Sequence, residues 1–462
     1  MMNYYLAIDI GASSGRHILA HMEDGKLVLE EIYRFNNQAI QRNGHLVWDV
    51  AYLLSSIKQG IVECVKQHKV PTTLGIDTWA VDYVLLDENK NLVMDSYSYR
   101  DKRCHVGVQE VQKLLSKKEL YAQSGIQYQK FNTIYQLKSD EMHHKAAYFL
   151  MIPDYLHYRL CGTITHEYTN LSTTQLLTVE GKLDDQRCHR LHLSSTLFTP
   201  IVMPSTYIGN FLPEIADEVG CQCKIVVPAT HDTGSAFMAS VYEDAVIISS
   251  GTWSLLGIET IEPYVNELAR NANFTNEGGY EHRYRFLKNI MGLWIIQEVS
   301  RELNGKYSFA QLVEEAAQHP FPLIFDVNDS RFLKPIHMIQ EIQNYFIELN
   351  QQPPETAGEI AYCVYYSLAH CYHQAILELE LITKKSYSYI NIIGGGCQNE
   401  LLNRMIAKLT NKTVVAGPVE ATALGNLAAQ LIEEGVFTSL QEARACIKAS
   451  QPIKEYKEEN NL

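Results

Sequence analysis

No stretch of the sequence approaches the ~18 uninterrupted apolar residues of a membrane span, and the opening MMNYYLAIDI has no basic segment ahead of a long apolar core. A membrane-embedded or secreted chain is therefore not expected, and a cytoplasmic one is. Basic blocks are missing as well. Against 53 Asp and Glu stand 39 Lys and Arg, a net charge of -14, which argues against nucleic acid as the main partner. Any phosphate-binding potential must then arise locally, from backbone amides, helix N-termini, a few basic side chains or a divalent cation. The ten cysteines include no CxxC pair, and Cys221-Gln-Cys223 is too isolated for a zinc half-site. Free buried thiols are expected in place of disulfides. Nucleotide motifs are absent too: there is no GxxxxGK[ST], the Gly394–Gly396 run lacks the third, spaced glycine of GxGxxG, and the protein-kinase signatures are missing.

What is present points elsewhere. At 462 residues the chain exceeds what one hydrophobic core usually covers, so two large domains are expected. The stretch Leu6–Arg16, LAIDIGASSGR, runs an apolar strand into Asp9, then into a turn of small and hydroxyl residues, before apolar residues resume. Consecutive N–H groups of such a bare turn can face an anion, and Asp9 at the strand end can hold a cation. An ordinary hairpin, with Asp and Ser serving only the turn, fits the same letters. Ala245–Leu256, AVIISSGTWSLL, has the same succession of strand, Ser-Gly-Thr turn and returning strand. This weak internal repeat predicts two similarly folded halves, divided near Tyr242 into 1–242 and 243–462, each presenting a phosphate-binding turn at one cleft.

Between these landmarks, Lys26–Phe35 alternates as a third strand, Tyr52–Val65 has helical spacing, and Leu74–Trp79 starts a further strand followed by a VDYVLLDENKNLV hairpin. Residues 101–225 read as helical and loop-rich. Their aromatic segments FNTIYQLKS and PDYLHYRLCG suit either a sugar cavity or plain core. In Lys224–Ser240 a buried strand leads to His231-Asp232-Thr233-Gly234, with Asp232 where a helix begins, a position that a simple helix cap would also explain. Apolar positions from Ile290 to Leu303 recur at helical spacing and put Asn289 at or near a helix start. Ala357–Leu381 reads as a long apolar helix. Tyr389–Ile393 is a strand running into Gly394–Gly396 and a helix, a good seat for a nucleotide. GPVEATALGNLAAQLI reads as the last helix, and Lys454–Leu462 as a frayed polar tail.

With these residues assembled, the chain resembles the FGGY family of carbohydrate kinases, within the actin-like ATPase fold. The resemblance runs nearly end to end, through DIGASSGR, GIDTWAVDYVLLD, YRDKR, FNTIYQL, PDYLHYRLCG, EYTNLSTTQL, HDTGSA, SSGTWSLLG, NEGGYEHRYRFLKNIMGLW, GGGCQNELLN and GPVEATALGN. Their order and number carry it, since any one of the shorter motifs is weak. It implies an α/β fold of two actin-like (ribonuclease H-like) domains, with mixed five-stranded sheets flanked by helices, facing each other across a cleft. It implies transfer of the γ-phosphate of ATP to a small-molecule ketose with Mg2+, by a monomer or weak homodimer. In that family the residue matching Asp232 is the general base. Those matching Ala12, Ser13, Ser14, Gly15 and Arg16, with Thr252, Gln297 and Gly395, contact nucleotide. Those matching His231, Thr233 and Asn289 contact sugar, and Asp9 matches the acidic residue near Mg2+. Ala80 stands where glycine is expected at the sugar site, which admits a sibling kinase for another ketose. A non-catalytic, actin-like ATP-binding protein is the rival from a different class.

Overall fold

The computed structural model of the protein describes residues 2–140 and 142–457. The chain forms two compact units. The first comprises Met1–Ala239, Glu259–Phe286 and Ala421–Ser450, and the second Ser240–Ile258, Leu287–Glu420 and Gln451–Leu462. The segments 259–286 and 421–450 thus pack with the first unit although they follow Tyr242 in sequence.

A six-stranded sheet in the order Thr206–Asn210, Lys224–Val227, Pro71–Thr78, Tyr4–Ile10, Ser14–Glu23, Lys26–Asn36 organises the first unit. It is mixed: the Tyr4 strand pairs antiparallel with the Ser14 strand and parallel with the Pro71 strand. Leu6, Ile8, Ile10, Leu74 and Ile76 are buried in one core cluster with Leu53, Leu54, Ile57 and Ile61 of the helix Val50–Lys66. That helix starts where Asp49 accepts a hydrogen bond from Tyr52 N, and its apolar residues recur every three or four positions, one face of a helix. Burying each such Leu or Ile contributes about 1.5–3 kcal/mol. The helix Ala421–Glu433 joins this unit through polar contacts. Gln430 donates to Leu6 O at 3.0 Å and accepts from Thr73 Oγ1 at 2.6 Å, while Asn426 donates to Asp77 at 2.6 Å. A late segment thereby satisfies groups on strands from the start of the chain, a pairing that no local sequence window contains.

The other sheet has seven strands, in the order Thr275–Gly278, Tyr284–Met291, Trp253–Thr260, Ala245–Ser250, Tyr389–Ile393, Thr413–Ala416, Lys454–Tyr456. Here the Ala245 strand pairs antiparallel with the Trp253 strand and parallel with the Tyr389 strand. The long helix Ala357–Thr383 begins in a capping box of Thr356 and Glu359.

Several local expectations are corrected. Six and seven strands replace five per sheet, because short edge strands complete each one. Tyr83–Leu86 finds its main partner in Tyr148–Met151, not in the residues just after it. Asn289 lies within the strand Tyr284–Met291, and the helix starts only at Trp294. One further helix, Leu440–Ser450, follows the small-residue helix. Part of the expected tail is ordered as Lys454–Tyr456, antiparallel to Thr413–Ala416, and residues 458–462 lie outside the described residues. All ten cysteines are free, and among the described residues no helix is long and apolar enough to cross a membrane.

Candidate active site

The first group of candidates gathers at the ends of the central strands. Register places Asp9 beside Asp77 on one side and Arg16 on the other. Arg16 Nη2 donates to Asp9 Oδ2 at 2.7 Å. The turn between them is closed by Gly11 N to Ser14 O at 2.9 Å and held from the third strand's end by Asn37, whose side chain donates to Gly11 O at 2.8 Å. Ala12, Ser13 and Ser14 stay at least partly open, whereas Gly15 is buried. A Cβ on Gly15 would come within 2.1 Å of the Phe35 ring, so that glycine serves packing. Asp77 is fully buried. Burial, then the neighbouring Asp9 charge, push its carboxyl well above the usual carboxylate range.

The second group is the turn from the Lys224 strand into the helix Asp232–Met238. Thr230 N and Oγ1 both donate to the buried Glu167, at 3.0 and 2.8 Å, and Thr169 Oγ1 and N donate to the same carboxylate at 2.6 and 2.8 Å. His231 occupies the cap position without capping the helix. Asp232 Oδ1 accepts from Thr233 N at 2.6 Å and Thr233 Oγ1 at 3.1 Å, and lies 3.5 Å from His231 Nε2. The Asp232 side chain keeps 32% exposure, and no described residue bonds its Oδ2. Burial raises its pKa, the Asp9 charge adds to this, and His231 opposes it. A carboxylate with one oxygen anchored and the other open, its pKa moved upward, is suited to accept a proton.

Around Ala80 the backbone is unusual, but the departure falls one residue later than the expected glycine. Val81 has φ 72°, a genuine outlier for a β-branched residue. Its carbonyl accepts from Thr133 Oγ1 at 2.8 Å and Gln136 Nε2 at 3.2 Å, which holds the turn. The adjacent Asp82 accepts from the Trp48 and Trp79 indoles, at 2.6 and 2.9 Å, and from Gln136 at 2.8 Å. Burial pushes this carboxyl to about 6 despite those donors.

Thr252, Gln297, Gly395 and Asn289 belong to the second unit. The helix Trp294–Glu302 starts on the Ser-Gly-Thr turn: Leu293 N donates to Gly251 O at 2.9 Å and Trp294 N to Thr252 O at 3.1 Å. Gln297, one turn in, accepts from Thr252 Oγ1 at 3.4 Å. Gly395 opens a single 3-10 turn, Gly395–Gln398, ahead of the helix Glu400–Thr410. A Cβ there would meet nothing within 4 Å, so no packing in the protein demands this glycine. Asn289 Oδ1 is buried without a hydrogen-bond partner among the described residues.

Sequence reasoning missed Asn37, Asp77, Glu167, Glu277 and Arg285. The one available signal was polar residues inside wholly buried strands, as in Thr275–Gly278, TNEG.

Mixed sheets flanked by helices in two compact units make this the two-domain α/β fold of the carbohydrate kinases. Models of the FGGY family of carbohydrate kinases, N-terminal and C-terminal domains, match residues 4–239 and 246–434, and the chain belongs to that family. It is an ATP-dependent sugar kinase. The chain is 49% identical over 462 residues to a rhamnulokinase of Halalkalibacterium halodurans, covering 98% of this chain and 99% of the relative. With a rhamnulokinase of Bacillus subtilis it shares 45% identity, over 97% of this chain and 94% of the relative. Among solved structures, gluconate kinase from Lactobacillus acidophilus superposes with a TM-score of 0.81 at 17% identity, covering 99% and 94% of the two chains. A xylulose kinase from the same organism gives 0.81 at 16%, covering 98% and 94%.

Proposed function

We propose that the protein transfers the γ-phosphoryl group of ATP to the 1-hydroxyl of L-rhamnulose, giving L-rhamnulose 1-phosphate and ADP, in rhamnose catabolism in the cytoplasm. Support for the sugar comes from the full-length rhamnulokinase relatives. Support for the chemistry comes chiefly from one observation, the Asp232 carboxylate with Oδ1 anchored by Thr233 and Oδ2 open. In this reading Oδ2 takes the hydroxyl proton as the sugar oxygen bonds to the γ-phosphorus and the bond to the β,γ-bridging oxygen breaks. Phosphoryl transfer asks mainly for positioning and charge stabilisation, so one aimed carboxylate suffices as base.

His231 and Thr233 are assigned to the sugar, as are Asn289, whose buried Oδ1 lacks a partner, and the backbone at Ala80. Ala12–Arg16 are assigned to ATP phosphates, and Thr252, Gln297 and Gly395 to the nucleotide. Residues 1–242 would then hold the base and most sugar contacts, and 243–462 most nucleotide contacts. A magnesium ion fits at Asp9, a hard carboxylate donor, with Asp77 in register beside it as a neutral oxygen donor at most, its pKa raised by burial and by Asp9 and its Oδ1 without a hydrogen-bond partner among the described residues. Among the described residues no three His, Cys, Asp or Glu could hold a metal, so phosphate and water would complete the shell. When bound, the ion supplies charge neutralisation at the phosphate oxygens. The assembly we infer is a monomer or weak homodimer.

A coupled ADP-release assay across L-rhamnulose, L-fuculose, L-ribulose, D-xylulose and glycerol tests the reading. Fastest turnover with L-rhamnulose is expected. Preference for L-fuculose, L-ribulose or D-xylulose would favour a sibling ketose kinase, the reading that the methyl of Ala80 supports. Absence of sugar-dependent ADP release would sink both.

A further inference from the structure

Arg285 is a fully enclosed guanidinium, its side chain 1% exposed. Two of its nitrogens hydrogen-bond, and the third faces a carboxylate without an aligned bond among the described residues. Nε donates to Gly278 O at 2.8 Å, Nη1 lies 3.2 Å from Glu277 Oε2, and Nη2 reaches Thr169 O at 3.4 Å and His231 Nδ1 at 3.1 Å. A guanidinium has only donors. An Nη2–H pointing at Nδ1 therefore requires Nδ1 to carry a lone pair. Glu277 Oε2 also approaches Nδ1, at 3.3 Å, and would draw a proton to it, yet that oxygen has no aligned hydrogen bond among the described residues. The aligned contact is the one from Arg285.

From this geometry we propose that Arg285 is a positioning residue for phosphoryl transfer: it holds His231 as the neutral tautomer protonated on Nε2, whose N–H faces Asp232 Oδ1. Glu277 holds Arg285 in turn. The consequence bears on which oxygen reacts. Asp232 Oδ1 accepts from Thr233 N and Thr233 Oγ1, with His231 Nε2 3.5 Å away, so its lone pairs are engaged by Thr233, the Nε2–H adds a favourable dipole on the same side, and proton acceptance is left to Oδ2. With the opposite tautomer, a lone pair on Nε2 would face the carboxylate and turn it away. The inference rests on Asp232 being the base, as proposed above.

The test reads the tautomer directly. In protein labelled with 15N-histidine, with the His231 resonances assigned by their loss in His231→Gln, the wild type should show an unprotonated Nδ1 and a protonated Nε2. In Arg285→Met the signals should move toward the other tautomer. The turnover number should drop about 10- to 100-fold, by analogy with the loss when an outer-shell partner orienting a metal-bound histidine is removed, with KM for ATP within twofold of wild type. Should Arg285→Met fail to fold, Arg285→Lys, which can serve His231 or Glu277 but not both, should lie between. A wild-type His231 protonated on Nδ1 would overturn the proposal, as would a folded Arg285→Met with unchanged tautomer and turnover. Because the tautomer is read without substrate, a wild type with the expected spectrum and no kinase activity would instead count against the assigned function.

Discussion

Two hairpins occupy corresponding places in the two sheets. In each, a first strand pairs antiparallel with the strand returning from its turn and parallel with a strand that arrives later, Pro71–Thr78 in one case and Tyr389–Ile393 in the other. The turns even close alike, Gly11 N on Ser14 O at 2.9 Å and Gly251 N on Trp253 O at 3.0 Å. Their chemistry differs. The first carries Asp9 and Arg16, with Asp77 on the adjoining strand, while the second offers Ser250 and Thr252, with Gln297 on the helix that follows. One backbone device thus carries two chemistries, charged side chains at the first turn and neutral polar ones at the second.

The comparison can be broken most forcefully at Asp232. Asp232→Asn should lower turnover ~100-fold or more, as loss of a general base does, and leave ATP affinity nearly unchanged by calorimetry. Near-normal turnover would return Asp232 to a mere helix start.

Glycines in the two units separate packing from binding. Gly15→Ala drives a methyl into Phe35 and should cost about 1–3 kcal/mol of stability, as overpacking does. Gly395→Ala meets open space, so its unfolding midpoint should hold while KM for ATP rises several-fold. A Gly395→Ala that is destabilised with an unaltered KM would contradict the assignment.

The sheets also differ in how they are braced. In the first, His157 Nε2 accepts from Ile76 N at 2.9 Å. In the second, Asn391 does comparable work, donating to Val415 O and Gly417 O and accepting from Ser240 and Val241. Only the histidine titrates. Burial lowers its pKa from 6.5 to about 3, so its contribution is complete above pH 6.5 and shrinks as pH falls, because the unfolded chain takes the proton first. At pH 5 that amounts to about 2 kcal/mol. Denaturant unfolding at pH 7 and pH 5 should show His157→Gln losing less stability between the two pH values than wild type, by about that amount.

The smallest contrast lies within the acidic pair. Asp77, buried and raised in pKa beside Asp9, is expected to sit protonated, so Asp77→Asn should reduce turnover at least tenfold less than Asp9→Asn. Equal losses would mean that both carboxylates work ionised.

Much of the site was legible because its motifs are local. Asp9 and the Ser-rich turn, His231-Asp232-Thr233 and Thr252 each lie in a short strand-turn unit whose letters announce it. Asn289 was misplaced because the apolar run from Ile290 to Ile296 crosses from strand to helix without a polar break, and a helical period fits its second half. At Ala80 the sequence showed only an added methyl where glycine was expected; the strained φ of the neighbouring Val81, held by Thr133 and Gln136 from a distant helix, was not legible. Glu277 offered only the signal of a polar residue in a buried strand, and Arg285 none. A reversal between them through Glu281 and His282, both left-handed at φ 54° and 57°, turns Arg285 back onto Glu277 and His231.

By itself the sequence determined the two-hairpin plan and the family, and it named the candidate proton acceptor and candidate phosphate turns. Each is a matter of residue type and short-range order, which the backbone's few conformations translate almost directly into strand, turn and helix start. Only the tertiary structure decided that residues 421–450 complete the first unit, that Asp77 lies against Asp9, and that Arg285 faces His231 Nδ1. Those facts depend on contacts between residues far apart in the chain and on burial. Both are set by how whole elements pack, and they govern the charge, tautomer and orientation of the groups that the motifs name.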